Sequence, residues 1–332
     1  MTLLHILNGE TTETLLGQTA VAGERFSFRD ALIDGPTPAD ANAAEWRQLR
    51  SDHLSTAYDV DRDKCGRELE RQEEVFASFS NHDEVVLWFE SDLFCQLNML
   101  YVLDWFGRHN HGSTKLTLIC IDRFPGRPSF RGLGELTPEQ LASLFVKRAE
   151  VSADELDLAA KAWRAYRAPH PGAVEQLIDG DTTALPFLKR ALQLHLERFP
   201  SVRNGLGRIE NRGLELVASG LTRFVDLLPR FLEAEAGYGL GDAQFWNALM
   251  RIAQVPRPLL HGSDEEGGAG PLRSDRVKNM SFEITEAGRA VLNGEADFLE
   301  MNGIDLWLGG VHLNEEVNVW RWDEQGRKLI LE

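Results

Sequence analysis

The residues best equipped for chemistry in this 332-residue chain fall in four short polar groups, each directly after an apolar run. They are Asn8, Gly9, Glu10 and Thr11; Arg29 and Asp30; Glu90, Ser91 and Asp92; and Asp122 and Arg123. Carboxylates gathered beside arginines can do one of two things. They can ligate a hard divalent cation through oxygen, or they can act as an acid and base whose proton affinities are pushed apart by their surroundings. Glu90, Asp92 and Asp30 are the candidate catalytic groups. Asn8, Gly9, Glu10, Thr11, Arg29, Ser91, Asp122 and Arg123 are the candidate ligand contacts. The metal and the cofactor are not specified by this pattern. A plainer role is open for the acids, because carboxylates in a first helical turn are favoured by the helix dipole in any case.

The elements that would bring these groups together are legible around them. Residues 3–7 are a short apolar run, 10–16 read as a helix with Thr11 or Thr12 able to cap it, and 25–28 form a second short strand. Residues 40–79 carry a sparse apolar stripe and read as two helices. Residues 85–89 are continuously apolar, as in a strand buried on both faces. Ser91 is expected to cap a helix running to about 106, and 116–121 form a further strand. Thr137, Pro138 and Gln140 make a capping box with proline at the first helical position. Strands separated by helices need crossovers, so the expected fold is α/β, a mainly parallel Rossmann-like sheet with helices on both faces. In such a sheet ligands bind beyond the carboxyl ends of the strands, which is where all four polar groups lie.

The expected domains are residues 1–150 for this α/β unit, 151–204 for a helical connector, and 205–332 for a winged-helix-like unit with a closing C-terminal β-hairpin. Helices are expected over 152–167, 171–179, 184–199, 206–219, 221–235 and 242–253. A glycine-rich acidic loop at 262–270 follows, then a strand and a helix capped by Thr285. Trp307, Trp320 and Trp322 are expected to pack this tail.

Composition narrows the class. The chain is 43% hydrophobic and 26% charged, ordinary for a folded protein. Its net charge of −17 disfavours a nucleic-acid partner, whose binding depends on Lys and Arg neutralising phosphates. No apolar run approaches the length of a membrane-crossing helix and no leader is apparent, so a cytoplasmic location is expected and no membrane partner. The three cysteines, Cys65, Cys95 and Cys120, are odd in number and widely spaced, as for reduced thiols, and Cys95 and Cys120, in or beside apolar segments, read as small buried hydrophobes. Dinucleotide-fingerprint, P-loop, HExxH and GxSxG motifs are absent from the sequence. His5, inside a strand, reads as a core residue with satisfied hydrogen bonds.

Four blocks together resemble the bacterial domain-of-unknown-function family numbered eighteen thirty-five: 4–10 (LHILNGE), 28–36 (FRDALIDGP), 87–94 (LWFESDLF) and 303–313 (GIDLWLGGVHL). The family has no assigned activity. The resemblance implies that Asn8, Gly9, Arg29, Asp30, Gly35, Pro36, Glu90 and Asp92 belong to its motifs. This chain departs from the pattern at Glu10, where the family often carries Asp, and near Ser91, where it carries His.

Two functions are therefore expected as alternatives. One is binding of an anionic small molecule of nucleotide or sugar-phosphate type at the sheet edge, with metal-assisted or acid–base hydrolysis or transfer. The other is a non-catalytic regulator or scaffold that docks a protein, or less readily nucleic acid, through its second half.

Overall fold

The computed structural model describes residues 1–263, 279–314 and 319–332. A five-stranded sheet organises the first half, in the order β2-β1-β3-β4-β5. Strands β1 (Leu3–Asn8), β2 (Glu24–Phe28), β3 (Glu84–Glu90) and β4 (Lys115–Ile121) are parallel. The two-residue β5 (Ala149–Glu150) is antiparallel to β4 and is not apparent in the sequence, being too short to show a period. The parallel strands are joined by helices: α1 (Glu10–Leu16), then α2 (Ala43–Tyr58) and α3 (Arg62–Ala77), then α4 (Leu93–Gly107); α5 (Pro138–Phe145) precedes β5.

Side chains alternate across each strand, so each face of the sheet collects its own apolar set. Leu4, Ile6, Val85, Leu87 and Phe89 face α2, α3 and α4, and join one large core that continues through the second half as far as Leu329. Leu7, Val86, Trp88 and Ile119 point the other way, onto Leu16 of α1 and Leu141 and Leu144 of α5. Every residue of β3 is buried, as its unbroken apolar run requires at the centre of a covered sheet. His5 is fully buried on the α1 and α5 side, with Nε2 against the carbonyl of Ala22 at 3.1 Å and Nδ1 accepting from the Trp88 indole at 3.2 Å.

Helices α6 (Ala153–Tyr166), α7 (Gly172–Asp179), α8 (Leu188–Leu196), α9 (Arg208–Ala218), α10 (Phe224–Ala234) and α11 (Asp242–Ala253) follow. The capping boxes at Thr137 and Ser152 form as their spacing predicts. Strands β6 (Leu260–Ser263) and β7 (Ser281–Ile284) pair antiparallel, and Thr285 caps α12 (Glu286–Asn293). The glycine-rich loop expected at 262–270 lies mostly outside the described residues. A short helix, α13 (Phe298–Asn302), is held by an Asp297 cap. Instead of one closing hairpin the tail forms two, β8 (Asp305–Leu308) with β9 (Val311–Asn314) and β10 (Trp320–Asp323) with β11 (Lys328–Leu331). The tight Gly309-Gly310 turn closes the first hairpin before the chain can reach β10.

The segment between β2 and α2 joins the two halves. Arg50 of α2 has no exposed surface, and its guanidinium donates to Asp30 Oδ1 at 2.6 Å and to the carbonyls of Ala31 at 2.9 Å and Asp34 at 2.6 Å. From the other half, Arg198 donates to the carbonyl of Ile33 at 2.7 Å and to Asp34 Oδ1 at 3.1 Å, and the Tyr166 hydroxyl donates to the carbonyl of Leu32 at 2.7 Å. Removing one partner of a fully buried ion pair strands the other charge. Arg50→Ala is accordingly expected to lower unfolding free energy by about 3–5 kcal/mol in urea titrations. A loss below about 1 kcal/mol, the range of an exposed pair, would show that the link is dispensable.

Candidate functional site

The order β2-β1-β3 reverses the direction of winding at β1: the chain steps to one side for β2 across one face, then returns past β1 to β3 across the other. Loops leaving the carboxyl ends of β1 and β3 diverge at such a reversal and open a crevice. The sequence places Asn8 at the end of β1 and Glu90 at the end of β3, and the two meet there through one helix turn.

Asp92 is the N-cap of α4, accepting the Cys95 N–H at 2.9 Å. It takes the role expected of Ser91, because its carboxylate reaches the third N–H of the helix. Cap geometry then brings Cys95 under Glu90, and the thiol donates to Glu90 Oε2 at 2.6 Å. Glu90 Oε1 accepts the Leu133 N–H at 2.7 Å from the loop before α5. Asn8 Nδ2 donates to the Cys95 sulfur at 2.8 Å, while its Oδ1 accepts from Asn98 at 2.7 Å. Asp92, Cys95 and Asn98 follow one another at intervals of three on the same helix, which puts them along one stripe.

The electrostatics of this group are set by burial. Glu90 is 8% exposed, and loss of water followed by the nearby charge of Asp92 raises its carboxyl to about 7. Burial also raises Asp92, and the two carboxyls titrate as a pair. The Cys95 thiol is pushed well up by burial and then by both acids, which keeps the proton on sulfur. One ligand atom each from Glu90, Asp92 and Cys95 lie within 4.8 Å of one another, so the trio could hold a metal ion once the thiol proton is lost. Residue 239 lies over Asp92 and must be glycine: at φ +66 a Cβ would come within 1.9 Å of Asp92 Oδ1.

The remaining predicted residues separate into three places. Gly9, with φ +96, turns the chain from β1 into α1 and is its N-cap; neither Thr11 nor Thr12 caps that helix. Glu10 and Arg29 pair at 3.1 Å on the exposed rim, Arg29 also reaches Glu68 at 3.4 Å, and Thr11 is exposed beside them on α1. Asp30 does not join the rim, because it is buried in its ion pair with Arg50. Asp122 and Arg123 bond each other in bidentate fashion at 2.9 Å, with the arginine side chain 84% exposed.

Glu10, Arg29 and Asp30 share a cavity of about 300 Å³ at the end of β2, floored by Phe26, Leu54 and Leu69 and flanked by Tyr58, Lys64 and Glu68. No motif marks Tyr58, Lys64 or Glu68 in the sequence; they reach the edge from the two helices after β2. Cys95, Asn8 and Asn98 meet under Glu90, and a reading of Cys95 as only a small apolar residue misses its two polar partners. The spacing 92, 95, 98 was the available signal.

Compared with known proteins, the chain matches no family model and no curated protein.

A raised carboxyl binds its proton more tightly in the folded chain than in the unfolded one, where the ordinary value is 4.5. The folded state therefore loses stability as pH rises from about 4.5 to about 7 and keeps that loss above. Glu90→Gln removes this penalty. Its unfolding free energy relative to the parent is expected to climb across that window, by on the order of 1.4 kcal/mol for each pH step of one. Equal pH profiles for the two proteins would show that Glu90 is not held protonated.

Proposed function

We propose that the protein binds a small anionic molecule in the cavity at the end of β2, on the carboxyl edge of its sheet, and that Glu90, buried outside that cavity at the end of β3, is the separate proton-exchanging group of the same edge. The observation that carries the binding is this cavity, with an apolar floor and two cations, Arg29 and Lys64, at its walls beside the acids Glu10, Asp30 and Glu68. Phe26, Leu54 and Leu69 suit a ring or alkyl body, and a phosphate or carboxylate would lie toward Arg29 and Lys64. Lys64 has no acid partner among the described residues. Arg29 is held by Glu10, whose side chain is 67% exposed; a pair of that kind contributes at most about 1 kcal/mol and yields readily to an incoming anion.

Glu90 suits proton transfer because a carboxyl raised to about 7 is half-protonated near neutrality and can give or take a proton with little driving force wasted. A reversal of strand order is the usual place for ligands in open α/β sheets, which supports a Rossmann-like reading of the first half. The Glu90, Asp92 and Cys95 trio, once deprotonated, would hold a cation where metal assistance is needed. Three of the four blocks that resemble the family, 4–10, 28–36 and 87–94, fall on this edge and on the segment beside it, while the fourth, 303–313, forms the β8–β9 hairpin.

The regulatory alternative rests on the second half, where three helices, the β6–β7 ribbon and α12 follow in the order of a winged helix. Its recognition-helix position is α11, and that helix faces the protein: Phe245, Trp246, Leu249 and Ile252 are buried, while Gln244 donates to the Tyr58 hydroxyl at 3.0 Å and Asn247 to the carbonyl of Ala57 at 2.9 Å. A helix held on that side against α2 is not free to enter a groove of nucleic acid. Among the described residues no helix is long and apolar enough to cross a membrane.

Nucleoside monophosphates, sugar phosphates and aryl carboxylates can be screened by thermal shift against the parent, Arg29→Ala and Leu54→Trp. At least one class is expected to raise the parent's Tm, with the shift lost in both variants. Absence of any shift, or shifts equal in all three proteins, would overturn the reading.

A further inference from the structure

A second and larger cavity, about 560 Å³, lies away from the sheet edge, between α2 and the helices and hairpin of the second half. Its walls differ sharply in character. One carries four charged side chains, Asp34, Arg198, Glu210 and Arg251, which also close a small niche beside it. The other is mainly apolar and includes Met250, Phe298, Leu299, Ile304, Leu306 and Trp307; Asn302 and Asp305 also line it, the latter largely exposed and 2.7 Å from His312. We propose that this cavity binds a zwitterion of the amino-acid or dipeptide type, its carboxylate taken by Arg251 and Arg198, its ammonium by Glu210 and Asp34, and its apolar side chain by the opposite wall.

The charged wall is built as two ion pairs placed next to each other: Arg198 with Asp34 at 3.1 Å and Arg251 with Glu210 at 3.2 Å. Each pair is made through a single guanidinium nitrogen, whereas Arg50 engages Asp30 through two. A guanidinium has five N–H donors, and Arg251 keeps most of its own for a ligand. A lone anion entering here meets two carboxylates, and a lone cation meets two arginines. A molecule carrying both charges, close together, answers both and leaves no buried charge unmatched.

Two further features fit. His53 lines the cavity, and burial together with Arg50 holds its imidazole down to about 4, so it adds no third positive charge at neutral pH. Its Nε2 is buried without a hydrogen-bond partner. Glycines let the walls of the cavity pack closely: a Cβ at Gly35 would collide with the His53 ring, and one at Gly207 with the Arg198 carbonyl and the Glu210 carboxylate. The volume exceeds that of a single amino acid and accommodates a dipeptide or an aromatic amino acid with water.

The test uses the full chain and isothermal titration calorimetry with free leucine, methionine, phenylalanine and tryptophan, and with Leu-Leu and Ala-Phe dipeptides. Each is matched by its desamino and decarboxy analogues, with adenosine and AMP as a further arm. At least one zwitterion is expected to bind, at least ten-fold more tightly than either of its analogues, and to lose ten-fold or more in Arg251→Gln. The same ligand should fail to bind Ala57→Phe, in which a ring occupies the cavity. Failure of every zwitterion overturns the proposal, as do equal affinity of the analogues, preference for adenosine or AMP, and unchanged binding in Ala57→Phe. The analogue series runs on the parent protein, so it decides the matter even if a variant does not fold, which circular dichroism reports. Ligands of the sheet edge are distinguished by their sensitivity to Arg29→Ala, which leaves this cavity untouched.

Discussion

A fully buried guanidinium needs nearly all of its donors answered, and the way Arg50 meets that demand determines how the rest of the molecule is assembled. Its partners, Asp30 and the carbonyls of Ala31 and Asp34, all lie on the segment leaving β2. That segment is thereby fixed against α2 in one conformation. Once fixed, it presents the carbonyls of Leu32 and Ile33 and the carboxylate of Asp34 to Tyr166 and Arg198 of the second half. The Tyr58 hydroxyl closes the arrangement, donating to Asp34 Oδ2 at 2.9 Å and accepting from Gln244 of α11. The interaction is costly in desolvation, and what it returns is a single relative placement of sheet and helices.

Both cavities depend on that placement. Asp30 forms part of one and Asp34 of the other, and Arg50 stands between them. The group at Glu90 is organised differently, from within one helix turn and one strand end. Burial sets the chemistry there: three hydrogen-bonded groups that would be ordinary in water become a carboxyl with a proton near neutrality, a second raised acid and a thiol kept in its neutral form.

The parallel core of the sheet is readable in the sequence because its strands are covered on both faces, so that residues 85–89 and 116–121 show as unbroken apolar runs between helical stretches. Caps at Thr137 and Ser152 are readable because their chemistry is local to four residues. Long-range partners are not. Nothing near Asp30 in sequence announces Arg50, and without that pair Asp30 looks as free to act as Glu90. The same limit hides Lys64 and Glu68, which arrive on α3, and the role of Leu133, which contributes only a backbone N–H. Position 92 takes the cap expected of 91 because both residues can cap a helix and only the observed turn decides between them.

Placement of β1 between β2 and β3 bears on how the chain acquires its shape during synthesis. Leu3–Asn8 needs β2 on one side and β3 on the other, and β3 begins only at Glu84. As the polypeptide leaves the ribosome, its first apolar strand must therefore wait for its second neighbour through the whole of α2 and α3. Hydrogen bonding on that flank comes with a loop closure of some length, the kind of step that slows folding. Meanwhile β2 can pair with one flank of the strand and α1 can cover one of its faces, because the turn at Gly9 sends the chain straight from β1 into that helix.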